Sequence, residues 1–106
     1  MFSPVQFNQL TLKNRVVMAP MTRARNENGI PNEKNALYYA QRSEAGLIVS
    51  EGSPISTTAA GVLYIPGLYT QEQVEGWKLV TKAVHEKGSK MFAQLWHVGR
   101  VSHISN

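Results

Sequence analysis

Cysteine is missing from this sequence of 106 residues, and its absence removes several kinds of chemistry at once. Without thiols there is no disulfide framework, no thiolate metal site and no cysteine nucleophile. Long apolar runs are missing as well: no stretch approaches the roughly 20 residues of a membrane-spanning helix, and the N-terminus lacks the basic start and apolar core of a signal peptide. We therefore expect a soluble, cytoplasmic protein with no membrane partner.

Runs of like charge are also missing. The 11 Lys and Arg residues against 7 Asp and Glu give a net charge of +4, but the basic residues are scattered singly along the chain. A nucleic-acid interface normally gathers such residues into a stripe or a patch. We expect no nucleic-acid partner and keep nucleic-acid binding only as the weakest functional hypothesis.

The sequence does contain a regular alternation of strand and helix patterns. Three short apolar runs predict strands, and each is continuous rather than alternating, which is typical of parallel strands covered on both faces. These runs are RVVMAP (15–20), GLIVSEG (46–52) and KMFAQLW (90–96). Ahead of them, VQFNQLTLKN (5–14) predicts a small hairpin around an Asn8-Gln9 turn.

The first predicted helix lies between the first two of these strands. We expect it from about Asn32 to Ala45, because Pro31 suits a helix start and Gly46 suits a helix end. Its candidate inward-facing residues are Leu37, Tyr38, Ala40 and Ala45.

The second predicted helix has clearer ends. Thr70 and Gln73 form the pattern of a capping box, and Gly88 is placed to terminate the helix. Its apolar residues recur at helical spacing and are Val74, Trp77, Val80 and Val84.

Strand, helix, strand, helix and strand with short links form a βαβαβ unit. A doubly wound nucleotide-binding sheet would carry a glycine-rich turn after its first strand, whereas MAPMTR (18–23) contains no glycine. We predict an α/β fold, a (βα)8 TIM barrel of which this chain supplies the N-terminal hairpin and the first three β-strands with two helices. Because such a barrel takes about 250 residues, residues 1–106 are expected to be the incomplete N-terminal part of a single domain.

Candidate binding residues collect where the predicted strands end, which is where such barrels hold their active sites. Thr22 follows the first strand and Gln94 lies late in the third, and both side chains can hydrogen-bond the edge of a heteroaromatic ligand. Gly52, after the second strand, lets a backbone approach a flat ligand closely. For the segment APMTR (19–23), an ordinary strand-ending turn remains an alternative.

Other candidates have plainer interpretations. Glu51 is either a base or an ion-pair partner, but a carboxylate beside a turn is more often structural than catalytic. His97 and His103 lie six residues apart without a neighbouring carboxylate or thiol, so we expect no metal site. Tyr64 lies in the long link AAGVLYIPGLYT (59–70), and loops of this kind shape ligand sites in barrels.

At these residues the sequence resembles the old yellow enzyme family of flavin-dependent ene-reductases, in particular its bacterial N-ethylmaleimide and nitrate-ester reductase branch. The resemblance follows four motifs in order and covers nearly the whole chain. They are FNQLTLKNRVVMAPMTRAR (7–25), YYAQRSEAGLIVSEGSPIS (38–56), GLYTQEQVEGWKLVTKAVHEKG (67–88) and QLWHVGRVSH (94–103).

The resemblance implies a flavin site. Members of this family fold as (βα)8 barrels and bind FMN non-covalently at the mouth of the barrel. Pro20, Met21 and Thr22 are implied to lie against the flavin, with the Thr22 hydroxyl near a ring carbonyl, where it tunes the reduction potential. Gly52 is implied to pack beside the ring, and Gln94 to hydrogen-bond its pyrimidine edge.

The resemblance also implies an activity, in which NAD(P)H reduces FMN and the flavin reduces activated C=C bonds of enones, maleimides or nitro compounds. The implied partners are a small electrophilic alkene, with Tyr64 and Trp96 as pocket walls, and the remainder of the barrel in the same or a separate chain. The family's proton donor, oxygen-binding pair and phosphate-binding arginines belong to later strands, so no catalytic residue maps here and the 106 residues alone are expected to be inactive. The alternative is a truncated non-catalytic remnant or interaction module.

Overall fold

A computed structural model describes residues 3–7, 9–23, 26, 28–56 and 65–99. The elements in chain order are β1 (Val5–Phe7), β2 (Leu10–Leu12), β3 (Val17–Met18), α1 (Glu33–Gln41), β4 (Leu47–Pro54), α2 (Gln71–Glu86) and β5 (Lys90–Trp96). Strands β1 and β2 pair antiparallel, while β3, β4 and β5 form a parallel sheet with β4 in the centre. The predicted hairpin and the βαβαβ order are confirmed, although Asn8 of the predicted turn lies outside the described residues.

Three element boundaries differ from the prediction. Strand β3 pairs only at Val17 and Met18 and leaves the sheet before Pro20, which has no N–H to donate to a ladder. Helix α1 ends at Gln41 rather than Ala45, because the amides of Arg42 and Ser43 bond carbonyls only three residues back and tighten the chain into turns. Strand β4 continues to Pro54, two residues beyond the predicted end.

The core lies between the sheet and the two helices. Ile48 of β4 is fully buried there, and the Trp77 indole N–H donates to the Gly67 carbonyl at 3.0 Å. The buried members of this cluster are Tyr39, Ala45, Ile48, Trp77, Val80 and Val84.

The predicted ends and apolar face of α2 are confirmed. The Gln73 amide N–H donates to Thr70 Oγ1 at 3.1 Å, the Gln73 side chain accepts from the Thr70 amide at 3.1 Å, and Gly88 has a φ of 83° just after the helix. Trp77, Val80 and Val84 are buried as predicted, and Val74 is half-buried.

The predicted inward face of α1 is partly wrong. Leu37 is 59% exposed, whereas Tyr39 is fully buried. Asn35, one helical turn before Tyr39, shares this buried face and exchanges amide hydrogen bonds with Asn26 at 2.6 and 3.1 Å. Polar side chains can occupy the inner face because their partners lie elsewhere in the chain.

Burial of the sheet on both faces is confirmed for β4 alone. Phe92 and Leu95 of β5 are 42% and 60% exposed, and Val17 of β3 is 51% exposed. Among the described residues, β3 and β5 are the outer strands of the sheet, so each has one neighbour only. No helix among the residues that the structure describes is long and apolar enough to cross a membrane.

The residues after β2 close the end of the sheet where its strands begin. The Lys13 ammonium group donates to the carbonyls of Ser43 and Lys87, just beyond the C-terminal ends of α1 and α2. Asn14 accepts from the Gly46 amide at 2.7 Å through Oδ1, and a Cβ at Gly46 would overlap Asn14. The segment after the hairpin thereby fixes both helix ends at the start of the sheet.

Candidate functional site

The carboxyl ends of the three parallel strands meet at one edge of the sheet, as in other parallel α/β sheets. The register pairs Gly52 with Gln94 and Pro54 with Trp96. Since side chains two apart share a face of a strand, these four residues lie on the same face. The Trp96 indole covers Gly52 and occupies the space that a Cβ would need. The group that lies against Gly52 is thus the Trp96 indole, and the approach of a flat ligand to Gly52 stays a prediction.

A β-bulge in β4 sets this geometry. Between the pairs Val49↔Phe92 and Gly52↔Gln94, β4 contains one residue more than β5. The Gln94 backbone N–H donates instead to the Ser50 hydroxyl at 3.2 Å. Ser50 therefore supplies a hydrogen-bond partner where the ladder is interrupted, and it fixes the backbone at Gln94.

The same bulge reverses the alternation of faces along β4. Ile48 packs into the core beneath the helices, and a regular strand would point a residue three positions later to the opposite face. The extra residue returns Glu51 to the helix side, where its side chain meets Tyr39. Gly52 then falls on the other face beside Gln94.

Glu51 is fully buried and its carboxylate is satisfied by two donors. The Tyr39 hydroxyl donates to Oε2 at 3.0 Å, and the Arg23 backbone N–H donates to Oε1 at 3.3 Å. The Tyr39 oxygen also accepts from the Glu51 backbone N–H at 2.9 Å. The geometry makes Glu51 a hydrogen-bond acceptor that joins α1, β4 and the segment after β3, which agrees with the structural interpretation of this carboxylate.

Burial governs the electrostatics of this pair. Removal from water raises the pKa of Glu51, and the hydrogen bonds from Tyr39 and Arg23 together with the Arg23 charge offset the rise only in part. Burial also raises the pKa of Tyr39 well above its ordinary value. The hydroxyl of Tyr39 therefore keeps the proton that it donates to Glu51.

The remaining candidates are placed as follows. Pro20, Met21 and Thr22 are exposed in the segment after β3, and this segment is joined to β4 by the bond between Arg23 and Glu51. Tyr64 lies outside the described residues. His97 is exposed and its Nδ1 accepts from the Gly99 amide at 2.9 Å. Within the described ranges, no group of three His, Cys, Asp or Glu side chains could hold a metal ion.

The structure thus brings Gly52, Gln94 and Trp96 into one cluster on one face of the sheet. It gives Ser50, one of the polar residues expected at the strand ends, the role of holding the Gln94 backbone, and on the helix side it adds Tyr39, which the sequence patterns did not single out. The only sequence evidence for Tyr39 is its spacing of four from Asn35 along α1. The amide of Gln94 lies on the same face of β5 as the flat indole of Trp96, and the exposed hydroxyl of Thr22 follows β3, on the other side of β4. These groups offer donors and an acceptor next to apolar surface. This set of groups fits a heteroaromatic ring with an imide-like edge.

Comparison with known proteins identifies the class to which this fold and site belong. Residues 1–106 match the NADH:flavin oxidoreductase / NADH oxidase family, and the chain belongs to that family. The sequence is 51% identical over 104 residues to 12-oxophytodienoate reductase 7 of Oryza sativa subsp. japonica, covering 97% of this chain and 26% of that protein. It is 49% identical over 108 residues to the flavin oxidoreductase hxnT of Emericella nidulans, covering 96% and 28%.

Solved structures of related proteins support the same family and show the fold. Morphinone reductase in complex with tetrahydroNAD superposes with a TM-score of 0.93 at 53% identity, over 96% of this chain and 28% of that chain. The old yellow enzyme homologue from Zymomonas mobilis superposes with a TM-score of 0.90 at 49% identity, over 95% and 29%. The chain spans about a quarter of the length of its relatives and corresponds to an N-terminal part of the old yellow enzyme TIM barrel. The predicted family and fold are confirmed.

Proposed function

We propose that this chain supplies part of the flavin site of an FMN-dependent ene-reductase, which takes hydride from NAD(P)H and reduces activated C=C bonds. The observation that carries the proposal is the cluster of Gly52, Gln94 and Trp96 at the carboxyl edge of the sheet. It occurs in a chain that superposes on morphinone reductase with a TM-score of 0.93.

The proposed flavin contacts follow from the chemistry of the residues, with Gly52 packing beside the ring. The Gln94 amide offers both a donor and an acceptor to the pyrimidine edge of the flavin, and Ser50 fixes the backbone that carries it. Pro20 and Met21 provide apolar surface, and the Thr22 hydroxyl hydrogen-bonds a ring carbonyl. Bound FMN supplies the reversible two-electron chemistry that the side chains of this chain cannot supply.

The substrate pocket lies beside the flavin in this proposal. Trp96 forms one wall through its indole, and Tyr64 forms another. Two relatives are named after compounds that carry a ketone group, in 12-oxophytodienoate reductase and morphinone reductase. A small alkene activated by a carbonyl or nitro group is accordingly the substrate class that we propose, with the enones as its first members to test.

The reductant in the proposal is a nicotinamide dinucleotide. Support comes from the morphinone reductase structure, which is a complex with tetrahydroNAD. The choice between NADH and NADPH is a separate measurement, in which the rate of flavin reduction is compared at equal concentrations of the two.

The remainder of the barrel is the proposed macromolecular partner, in the same or a separate chain. Phe92 and Leu95 leave apolar surface exposed on β5, and the described structure gives β3 and β5 one strand neighbour each. Further βα units would pair with these strands and cover both faces. A truncated non-catalytic remnant or interaction module is the alternative to this function. The cytoplasm is the proposed location.

The test is an FMN titration of the complete barrel, which is this chain together with the remainder proposed above and is called the full-length protein below. Binding is monitored by the quenching of flavin fluorescence. We expect wild type to bind FMN and Gln94→Ala to weaken binding roughly tenfold, which corresponds to the loss of about 1.4 kcal/mol of hydrogen bonding. Gln71→Ala is the matched control, because Gln71 is exposed at the start of α2 and its side chain donates to the exposed Glu75. A wild-type protein that leaves FMN fluorescence unchanged would contradict the proposal.

A further inference from the structure

The segment Pro20–Thr22 needs something other than strand pairing to fix its position. Strand β3 ends at Met18, so the backbone beyond it makes no ladder bond to β4. All three residues of the segment are exposed. If they lie against the flavin, as proposed above, their backbone must be held by the residues that follow.

Arg23 is the next residue, and it is held twice. Its backbone N–H donates to Glu51 Oε1 at 3.3 Å, and its guanidinium lies 4.5 Å from the centre of the Tyr38 ring on α1. The stacking contact fixes only the far end of a long side chain. The hydrogen bond acts on the main chain, one residue after Thr22, and therefore constrains the direction of the segment itself.

The residue whose carboxylate accepts this bond is held by burial and by two hydrogen bonds with one partner, Tyr39. Glu51 is fully buried, its carboxylate accepts from the Tyr39 hydroxyl at 3.0 Å, and its backbone N–H donates to the Tyr39 oxygen at 2.9 Å. Tyr39 is fully buried as well. Glu51 therefore has little freedom to move away from Arg23.

The bulge in β4 connects this arrangement to the other face of the sheet. It directs Glu51 to the helix side and the adjacent Gly52 to the side where Gln94 and Trp96 lie. Glu51 is consequently connected in two directions: through its hydrogen bond to the Arg23 amide to the residue after Thr22, and through one peptide bond to Gly52.

We propose that Glu51 is a positioning residue of the flavin site, which holds the Pro20–Thr22 segment in place from the helix side of the sheet. This inference rests on the proposed function. A buried carboxylate is costly to remove from water, and an apolar residue would fill the same space at lower cost. The hydrogen bond to the Arg23 backbone is the property that an apolar residue would lack.

Glu51 acts through Arg23 and not on the substrate, because its side chain lies on the opposite face of the sheet from Gln94 and Trp96. Its removal should disturb the Thr22 hydroxyl, which is the group proposed to tune the flavin. The informative readout is therefore the reduction potential of bound FMN, which a general loss of stability does not shift.

The experiment compares Glu51→Ala, Glu51→Gln and the control Glu75→Ala in the full-length protein. Glu75 is an exposed glutamate of α2 that pairs with Lys78 on the surface. For each variant, hydrogen exchange of the Arg23 amide is measured by NMR, and the affinity and midpoint potential of FMN are measured by titration. We expect Glu51→Ala to speed exchange at Arg23 about tenfold, to weaken FMN binding and to shift the potential. Glu51→Gln keeps an acceptor oxygen and should recover most of each change, and Glu75→Ala should change none.

The outcomes separate this inference from the proposed function. If Glu51→Ala binds FMN with unchanged affinity and potential, the inference is overturned and the proposed function stands. If wild type binds no FMN, the proposed function fails and the positioning role for flavin fails with it. Should Glu51→Ala not fold, Tyr39→Phe decides. This variant removes the hydroxyl that donates to the Glu51 carboxylate, and we expect it to shift the FMN potential away from the wild-type value. An unchanged potential in Tyr39→Phe overturns the inference.

Discussion

Gly52 illustrates how a single missing side chain shapes the site. A Cβ at this position would overlap the Trp96 indole. We expect Gly52→Ala to displace the indole and to lower the free energy of unfolding by about 1–3 kcal/mol, as overpacked positions do. Urea unfolding of the full-length protein, monitored by tryptophan fluorescence, measures the loss.

The double variant Gly52→Ala with Trp96→Ala is the control for this prediction. Removing the whole indole leaves room for the added methyl group, so the two substitutions together should cost less than the sum of each alone. Strict additivity of the two free energies would show that the Gly52–Trp96 contact is not the cause.

Glu51 predicts a particular dependence of stability on pH. Burial raises its pKa above the ordinary value of 4.5, so the folded state favours the protonated carboxyl. Its contribution to stability is therefore fully present below pH 4.5 and is lost as the pH rises through the raised pKa. The groups that face the carboxyl are Tyr39 on α1 and Arg23 after β3.

The measurement is the urea midpoint of wild type and Glu51→Gln from about pH 4 to about pH 8. We expect wild type to lose stability across this range relative to Glu51→Gln, since glutamine does not titrate. Glu75→Gln, an exposed site, should follow wild type. Parallel curves for wild type and Glu51→Gln would refute the raised pKa.

For single residues, the sequence predicted which side chains share a strand face better than it predicted which residues they contact. Gln94 and Trp96 could be placed on one face from their spacing alone, and the structure agrees. Burial of Tyr39 in place of Leu37 could not be predicted, because the partner that satisfies its hydroxyl lies 12 residues away. Hydrophobic spacing contains no information about such a partner.

Among the elements, α2 gives the clearest test of a local signal. The Thr70 side chain accepts from the Gln73 amide at 3.1 Å and so satisfies one free N–H of the helix start. We expect Thr70→Ala to lower the free energy of unfolding by about 1 kcal/mol. Thr81→Ala is the matched control, because Thr81 lies within α2, where alanine is the better helix former. Equal losses in both variants would show that capping is not responsible.

The elements also show what sequence patterns could and could not define. Strand β5 and helix α2 were predicted at their observed positions, since an apolar run and a capping box mark them locally. The bulge of β4 was not predicted, because it depends on the register with β5 and on Ser50 replacing a ladder bond. Registers are properties of pairs of strands and are not written in either strand alone.

For the whole molecule, the outer strands are the main constraint. The apolar side chains of Phe92 and Leu95 are exposed, and β3 and β5 each have a single partner among the described residues. We expect the 106-residue chain alone to be unstable, molten or oligomeric and to bind FMN poorly. Sedimentation and thermal unfolding of the isolated chain test this.

The full-length protein is the reference for that experiment. We expect it to unfold in one cooperative transition and to hold flavin. A sharp cooperative transition from a monomer of the isolated chain would contradict the expectation, and tight FMN binding by that monomer would contradict it further.

The Lys13 ammonium group donates to the carbonyls of Ser43 and Lys87 and so joins the two helix ends. It is hydrogen-bonded as long as the end of the sheet where the strands begin stays folded. An acylating reagent that modifies exposed amines such as that of Lys82 should modify Lys13 only when those contacts open. The ratio of the Lys13 labelling rate to the Lys82 labelling rate would then report the fraction of time for which these contacts are open. Acylation of a single lysine thereby measures local unfolding at the start of the sheet.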